Sequence, residues 1–189
     1  MIQIKPYQPG WHEQFLILGQ TLRQAMGALA LRIDHIGSTA VPGLAAKDCI
    51  DIQITVNSLA GAVEMALTQA GFDRIRHIHQ DHLPPGATDD IGEWTKWIFK
   101  PKTDPLAANI HVRIAGRANQ RYALLFRDYL RAFPATATAY AQVKVALAKY
   151  HADNVEAYYD VKDPVCDIIM GGAEIWATTI NWQLGPSDA

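Results

Sequence analysis

His35-Ile36-Gly37-Ser38-Thr39-Ala40-Val41-Pro42-Gly43-Leu44-Ala45-Ala46-Lys47-Asp48-Cys49-Ile50-Asp51-Ile52-Gln53-Ile54 is the stretch whose reading decides the fold. It reads as the end of a strand, Leu31 to Ile36, that delivers a Gly-Ser pair into a turn. One short helical turn follows, then a second strand, Cys49 to Val56, that carries Asp51. Gly37 has no Cβ and lets a bulky group approach the backbone. Ser38 and Thr39 offer hydroxyls and main-chain N–H groups at the start of a helical turn, an arrangement that receives phosphate oxygens. Asp51 lies in an apolar run, where a charge is costly unless it is paired or binds a cation. A phosphate cradle and a candidate metal ligand are therefore expected on adjacent elements.

Working outward, 189 residues of which 49% are hydrophobic suit a single domain over 1–189. A formal charge of −2 provides no global attraction to nucleic acid or to an anionic membrane. The two cysteines, Cys49 and Cys166, lie far apart with no metal-type spacing, which favours reduced thiols. With no signal-peptide core and no apolar run of roughly 20 residues, the expectation is a cytoplasmic protein.

Before the central stretch, Ile2 to Tyr7 reads as a short strand or arm. Trp11, Phe15, Leu18, Leu22, Ala25 and Leu29 recur at helical spacing. After it, Asn57 and Ser58 are N-cap candidates for a helix that Gly71 ends, and Phe72 to about Ile78 reads as a strand. Between His79 and Gly92, the residues Leu83 to Asp90 read as a mobile loop. Glu93 to Phe99 and Ala107 to Ile114 read as two strands joined by a hairpin loop, Pro101 to Pro105. From Asn119 strand signals stop, and three helical segments follow, about 119–133, 135–150 and from 154 on. At Asp163-Pro164 either a new helix starts or the old one kinks. A sheet-containing core, 1–116, followed by a helical part, 117–189, predicts an α+β fold.

His77, His79, Asp81 and His82 lie close together, but no helical i, i+4 pair organises two ligands, so the group reads as surface histidines. Trp94 and Trp97 are expected on opposite faces of one strand. Asn109, His111 and Arg113 share a strand face, pointing either at a ligand or at solvent. Arg127 and Arg131 share a helix face, which is either solvated or in contact with phosphate.

The long motif from His35 to Lys47, followed by Ile50-Asp51-Ile52, resembles the signature of the GrpB-like family, a branch of the DNA-polymerase-β-type nucleotidyltransferase superfamily. Asn109-Ile110-His111-Val112-Arg113, Leu125-Phe126-Arg127-Asp128-Tyr129-Leu130 and the Tyr140 to Lys144 segment extend the resemblance across most of the chain. It implies a nucleotidyltransferase-like mixed sheet with helices closing over the site. Superfamily chemistry joins a nucleoside monophosphate to an acceptor with release of pyrophosphate, often with two metal ions roughly 3.5–4 Å apart.

Gly37, Ser38 and Asp51 match the superfamily pattern. Gln53 stands where a second carboxylate is expected, and the later strand offers Asn109 and His111 in place of an acid. The candidates are Asp51 and His111 for catalysis, Asp51 for a metal, and Gly37, Ser38, Thr39, Lys47, Arg113, Arg127 and Lys144 for nucleotide contacts. The expected cofactor is one Mg²⁺, bound only with nucleotide. Expected partners are a nucleotide and a small-molecule acceptor. Two other readings stay open: a binding module for nucleotides or coenzyme A precursors without catalysis, and a protein-interaction scaffold.

Overall fold

The structure, a computed structural model, describes residues 1–88, 90–103 and 106–189. Its sheet is built on strands β1 (Arg32–Ile36), β2 (Ile50–Val56), β3 (Phe72–Arg74), β4 (Trp97–Pro101) and β5 (Ala108–Ile114). Their order is β1-β2-β5-β4-β3, with only β2 and β5 parallel. Alternation along β2 sends Ile50, Ile52, Ile54 and Val56 into one core, together with Ala108, Ile110 and Val112 of β5. The opposite face of the same strands carries Asp51, Gln53 and Thr55 beside Asn109, His111 and Arg113, paired in that register.

Helix α1 (Gly10–Met26) buries Trp11, Phe15, Leu18, Leu22 and Met26 against the apolar face, and α2 (Gly61–Gln69) adds Val63 and Leu67. Helices α3 (Ala118–Ala132), α4 (Pro134–Tyr150) and α5 (Val155–Ile180) form a second core with Val41 and Leu44. A cleft lies between that helical layer and the polar sheet face. No helix among the described residues is long and apolar enough to cross a membrane.

Several local expectations are corrected. Helix α2 starts at Gly61 behind Ala60, so neither Asn57 nor Ser58 caps it. The strand expected from Phe72 to Ile78 is only three residues long. Ile91–Glu93 is a single 3-10 turn, and β4 begins at Trp97. Trp94 therefore precedes the strand; it lines the cleft, while Trp97 packs against the sheet core.

The segment after His79 is tied to the body of the protein. Gln80 bridges Thr95, the Asp81 amide donates to the Trp94 carbonyl, and His82 Nε2 meets Asp167 Oδ2 at 2.8 Å. No new helix starts at Asp163-Pro164, because α5 runs through Pro164 with Asn154 as its N-cap. Of the expected hairpin loop, Asp104 and Pro105 lie outside the described residues.

Candidate active site

The turn after β1 sets the site. Gly37 has φ +68°, in the left-handed region that favours glycine. A Cβ built there would stand 2.5 Å from Asp51 Oδ2. The space that glycine leaves is thus taken by the carboxylate of Asp51, which pairs across β1–β2 with the preceding residue Ile36, rather than by a ligand. Ser38 opens the short 3-10 turn Ser38–Ala40, and its Oγ lies 2.8 Å from Lys144 Nζ of α4. Thr39 lines the cleft but is largely buried, its Oγ1 3.0 Å from His35 Nε2. Burial, with the nearby Arg131 charge, pushes the His35 pKa down to about 3, so the imidazole is neutral.

The cleft is about 720 Å³ and brings together Ser38, Lys47, Asp51, His111, Arg113 and Lys144. Asp51 Oδ1 accepts from Asn109 Nδ2 at 2.8 Å and faces His111 Nε2 at 3.6 Å. Burial works against ionising Asp51, but the His111 and Asn109 contacts outweigh it, and its carboxyl stays below its ordinary value. Burial likewise lowers the His111 pKa against the pull of Asp51. Lys47 lies 4.6 Å from the ring centres of Tyr158 and Tyr159 and donates to the Tyr159 hydroxyl.

Arg113 is in the cleft wall, but its guanidinium is engaged. It forms a two-point contact with Asp81, both at 2.8 Å, and its Nη1 donates to Gln53 Oε1 at 2.6 Å. The Gln53 amide nitrogen donates to the Gln120 carbonyl, so both ends of that side chain are held. Arg127 is placed elsewhere. It is 4% exposed beneath the turn and donates to the His35 carbonyl, Asp128 and Asp188, so both expectations for it, solvent and phosphate, give way to an internal strut.

Charged cleft residues that the sequence does not single out for the site include Asp81, Lys96, Lys100, Lys162 and Asp163. Asp81 sits among histidines that read as surface residues, yet it binds Lys96 Nζ at 2.5 Å and accepts from Asn119 as well as Arg113. The signal for Lys96 and Lys100 was two-residue alternation with Ile98, since all three reach the cleft. Among the described residues the lining carries six Lys or Arg side chains against three carboxylates. Asp81 is consumed by Lys96 and Arg113, and Asp163 by Lys162 at 2.7 Å. What remains is Asp51 in a cation-rich cavity, which suits a ligand with several negative charges.

Known proteins bear on this arrangement. A protein named dephospho-CoA kinase in Mycolicibacterium paratuberculosis is 37% identical over 196 residues, covering 96% of this chain and 48% of that protein. UPF0157 protein BH1888 of Halalkalibacterium halodurans is 33% identical over 174 residues, covering 89% of this chain and 80% of that protein. The chain spans about half the length of the kinase-named relatives it matches. The crystal structure of the conserved protein GrpB from Enterococcus faecalis superposes with a TM-score of 0.71 at 28% identity, covering 92% of this chain and 99% of that one. The family model described as GrpB protein matches residues 1–171, and the chain belongs to the GrpB family.

Proposed function

We propose that the cleft binds a nucleoside triphosphate by its phosphates and transfers the nucleoside monophosphate to a small-molecule acceptor. The observation that supports this most directly is the meeting of Ser38, Lys144 and Asp51 in one cation-rich cavity, brought from the turn after β1, from α4 and from β2. The resemblance read in the sequence leads one to expect phosphate and metal contacts on these elements, which is what supports the reading. Lys47 and Lys100, which no carboxylate neutralises among the described residues, supply charge for the phosphates.

The residues fit one Mg²⁺ and do not fit two. Asp51 would hold a single ion together with the ligand's phosphates, because Mg²⁺ is commonly bound by one or two carboxylates plus substrate oxygens and waters. Such an ion neutralises charge that develops at phosphorus. Gln53 cannot add a second ligand, since Arg113 already occupies its oxygen. Among the described residues no group of three or more His, Cys, Asp or Glu side chains could hold a metal ion. His111 is assigned to positioning the Asp51 carboxylate.

The locked Gln53 amide also favours a second reading, a module that binds nucleotides or coenzyme A precursors without turnover. Relatives named dephospho-CoA kinase make coenzyme A precursors worth including among the ligands tested. Calorimetric titration with ATP, with and without Mg²⁺, paired with a pyrophosphate-release assay, separates the readings. Mg²⁺-dependent binding with slow pyrophosphate release is expected. Binding with no release selects the second reading, and no binding to any of these ligands leaves a scaffold.

A further inference from the structure

We propose that Ser38 and Lys144 form a nucleophile–base pair, in which the Ser38 hydroxyl attacks the α-phosphorus of a bound nucleoside triphosphate and is itself nucleotidylated. This rests on the nucleotide reading of the cleft. Lys144 Nζ lies 2.8 Å from Ser38 Oγ and 2.5 Å from the Ala45 carbonyl oxygen. The two residues are 106 positions apart, one in the turn after β1 and one in α4, so the pair is a product of the tertiary fold. Ser38 is half-buried and lines the cleft, while Lys144 is 3% exposed. The hydroxyl stands in front with the amine close behind it, the order that a nucleophile and its base require.

Lys144 Nζ donates to both Ser38 Oγ and the Ala45 carbonyl; on losing a proton it keeps an N–H for Ala45 and gains a lone pair placed to accept the Ser38 O–H. An ordinary lysine, with a pKa near 10.4, is almost wholly protonated at pH 7 and has no lone pair to use. Here burial, reinforced by the Lys162 charge, brings the pKa of Lys144 down to about 7. Lys47 acts in the same direction, while Asp51 and Cys166 act against it. The Tyr140 ring, 4.6 Å from Nζ, closes another side. Cys49, the other nucleophile type near Asp51, does not compete, because burial and that carboxylate push its thiol up to about 12.

In the step itself the Ser38 proton passes to Lys144 Nζ as the bond from Oγ to the α-phosphorus forms. The bond from that phosphorus to the bridging oxygen breaks, and the electron pair leaves with pyrophosphate. The products are a phosphodiester of Ser38 with the nucleoside monophosphate, free pyrophosphate and a Lys144 ammonium. Serine–lysine pairing of this kind is known in acyl transfer on unrelated folds.

The test uses the full chain incubated with ATP and Mg²⁺, followed by intact-mass measurement and peptide mapping, with ATP binding measured in parallel. The expected result is a gain of one AMP on the peptide that holds Ser38. Its rate should rise as pH passes through about 7 and level off above, a profile that a purely structural lysine would not give. Ser38→Ala should give no adduct. Lys144→Arg keeps a charge and donors but has no usable base, so adduct formation at saturating ATP should fall by roughly 100-fold or more. Bound ATP with no adduct on Ser38, a single phosphate in place of AMP, a flat pH profile, or full-rate adduct in Lys144→Arg would overturn the dyad and leave the nucleotide reading standing. Absence of ATP binding in the unmodified protein would overturn the nucleotide reading and the dyad with it.

Discussion

Asp81 holds together the cationic side of the cleft, because Arg113 and Lys96 both direct their charge at it. Burial opposes ionisation of this carboxyl, but Arg113 and then Lys96 outweigh it and hold its pKa well below the carboxylate range. A folded-state pKa below the unfolded one contributes stability that is complete above the unfolded value, near 3.9, and is lost as pH falls through the folded value. Urea denaturation from pH 7 down to pH 2 should therefore show a loss of stability below about pH 4 that Asp81→Asn flattens. At pH 7 that variant should cost about 3–5 kcal/mol, since it leaves two buried cations without their partner. A second prediction concerns Gly37. Its positive φ and the nearby Asp51 carboxylate act together, so Gly37→Ala should destabilise by about 2 kcal/mol or more in the same assay. A neutral result would mean that the turn is not built as described.

Among the elements, β1 is an edge strand whose open side is covered by the tail. The Ala189 amide donates to the Ile33 carbonyl, Ser187 Oγ accepts from the Ile33 amide, and Asp188 Oδ2 accepts from the His35 amide at 2.9 Å. Asp188 is also the partner of Arg127, at 2.7 Å, and Arg127 in turn supports the His35 carbonyl just before the Gly-Ser turn. The tail thus shields an edge that would otherwise invite pairing with another chain, and it braces the turn from below. Removing residues 185–189 should lower the melting temperature and raise light scattering on heating. Unchanged values for both would show that the edge needs no cover.

For the molecule as a whole, two layers meet at a cavity in which Arg113 occupies the Gln53 oxygen, and on the proposed reading this limits the site to one ion. Asp51→Asn should abolish the Mg²⁺ dependence of nucleotide binding. Gln53→Asp should not create a second ion site, because Arg113, at 2.6 Å from the present amide oxygen, would neutralise the new carboxylate. A Mg²⁺ or Mn²⁺ titration of nucleotide binding in the three proteins checks this, and two occupied ions in Gln53→Asp would count against it.

The α+β order, the two faces of β2 and β5 and the nearness of Gly37, Ser38 and Asp51 are legible in the sequence alone. Each of these depends on periodicity, or on a turn whose residues are contiguous. Alternation along β2 and β5 is enough to separate Ile50, Ile52 and Ile54 from Asp51 and Gln53. Tertiary structure decided the partners. Only the packing of α3 and α4 on the polar sheet face shows that Lys144 reaches Ser38 while Arg127 turns to Asp188, although both are helical cations in the sequence. Asp81 lay among histidines at the edge of a segment rich in proline and glycine that read as a loop; its importance arises from β5, 32 residues later, where Arg113 waits for a counter-charge. Charge pairing across such distances has no period, so it becomes visible only once the chain has closed on itself and burial makes each unpaired charge costly.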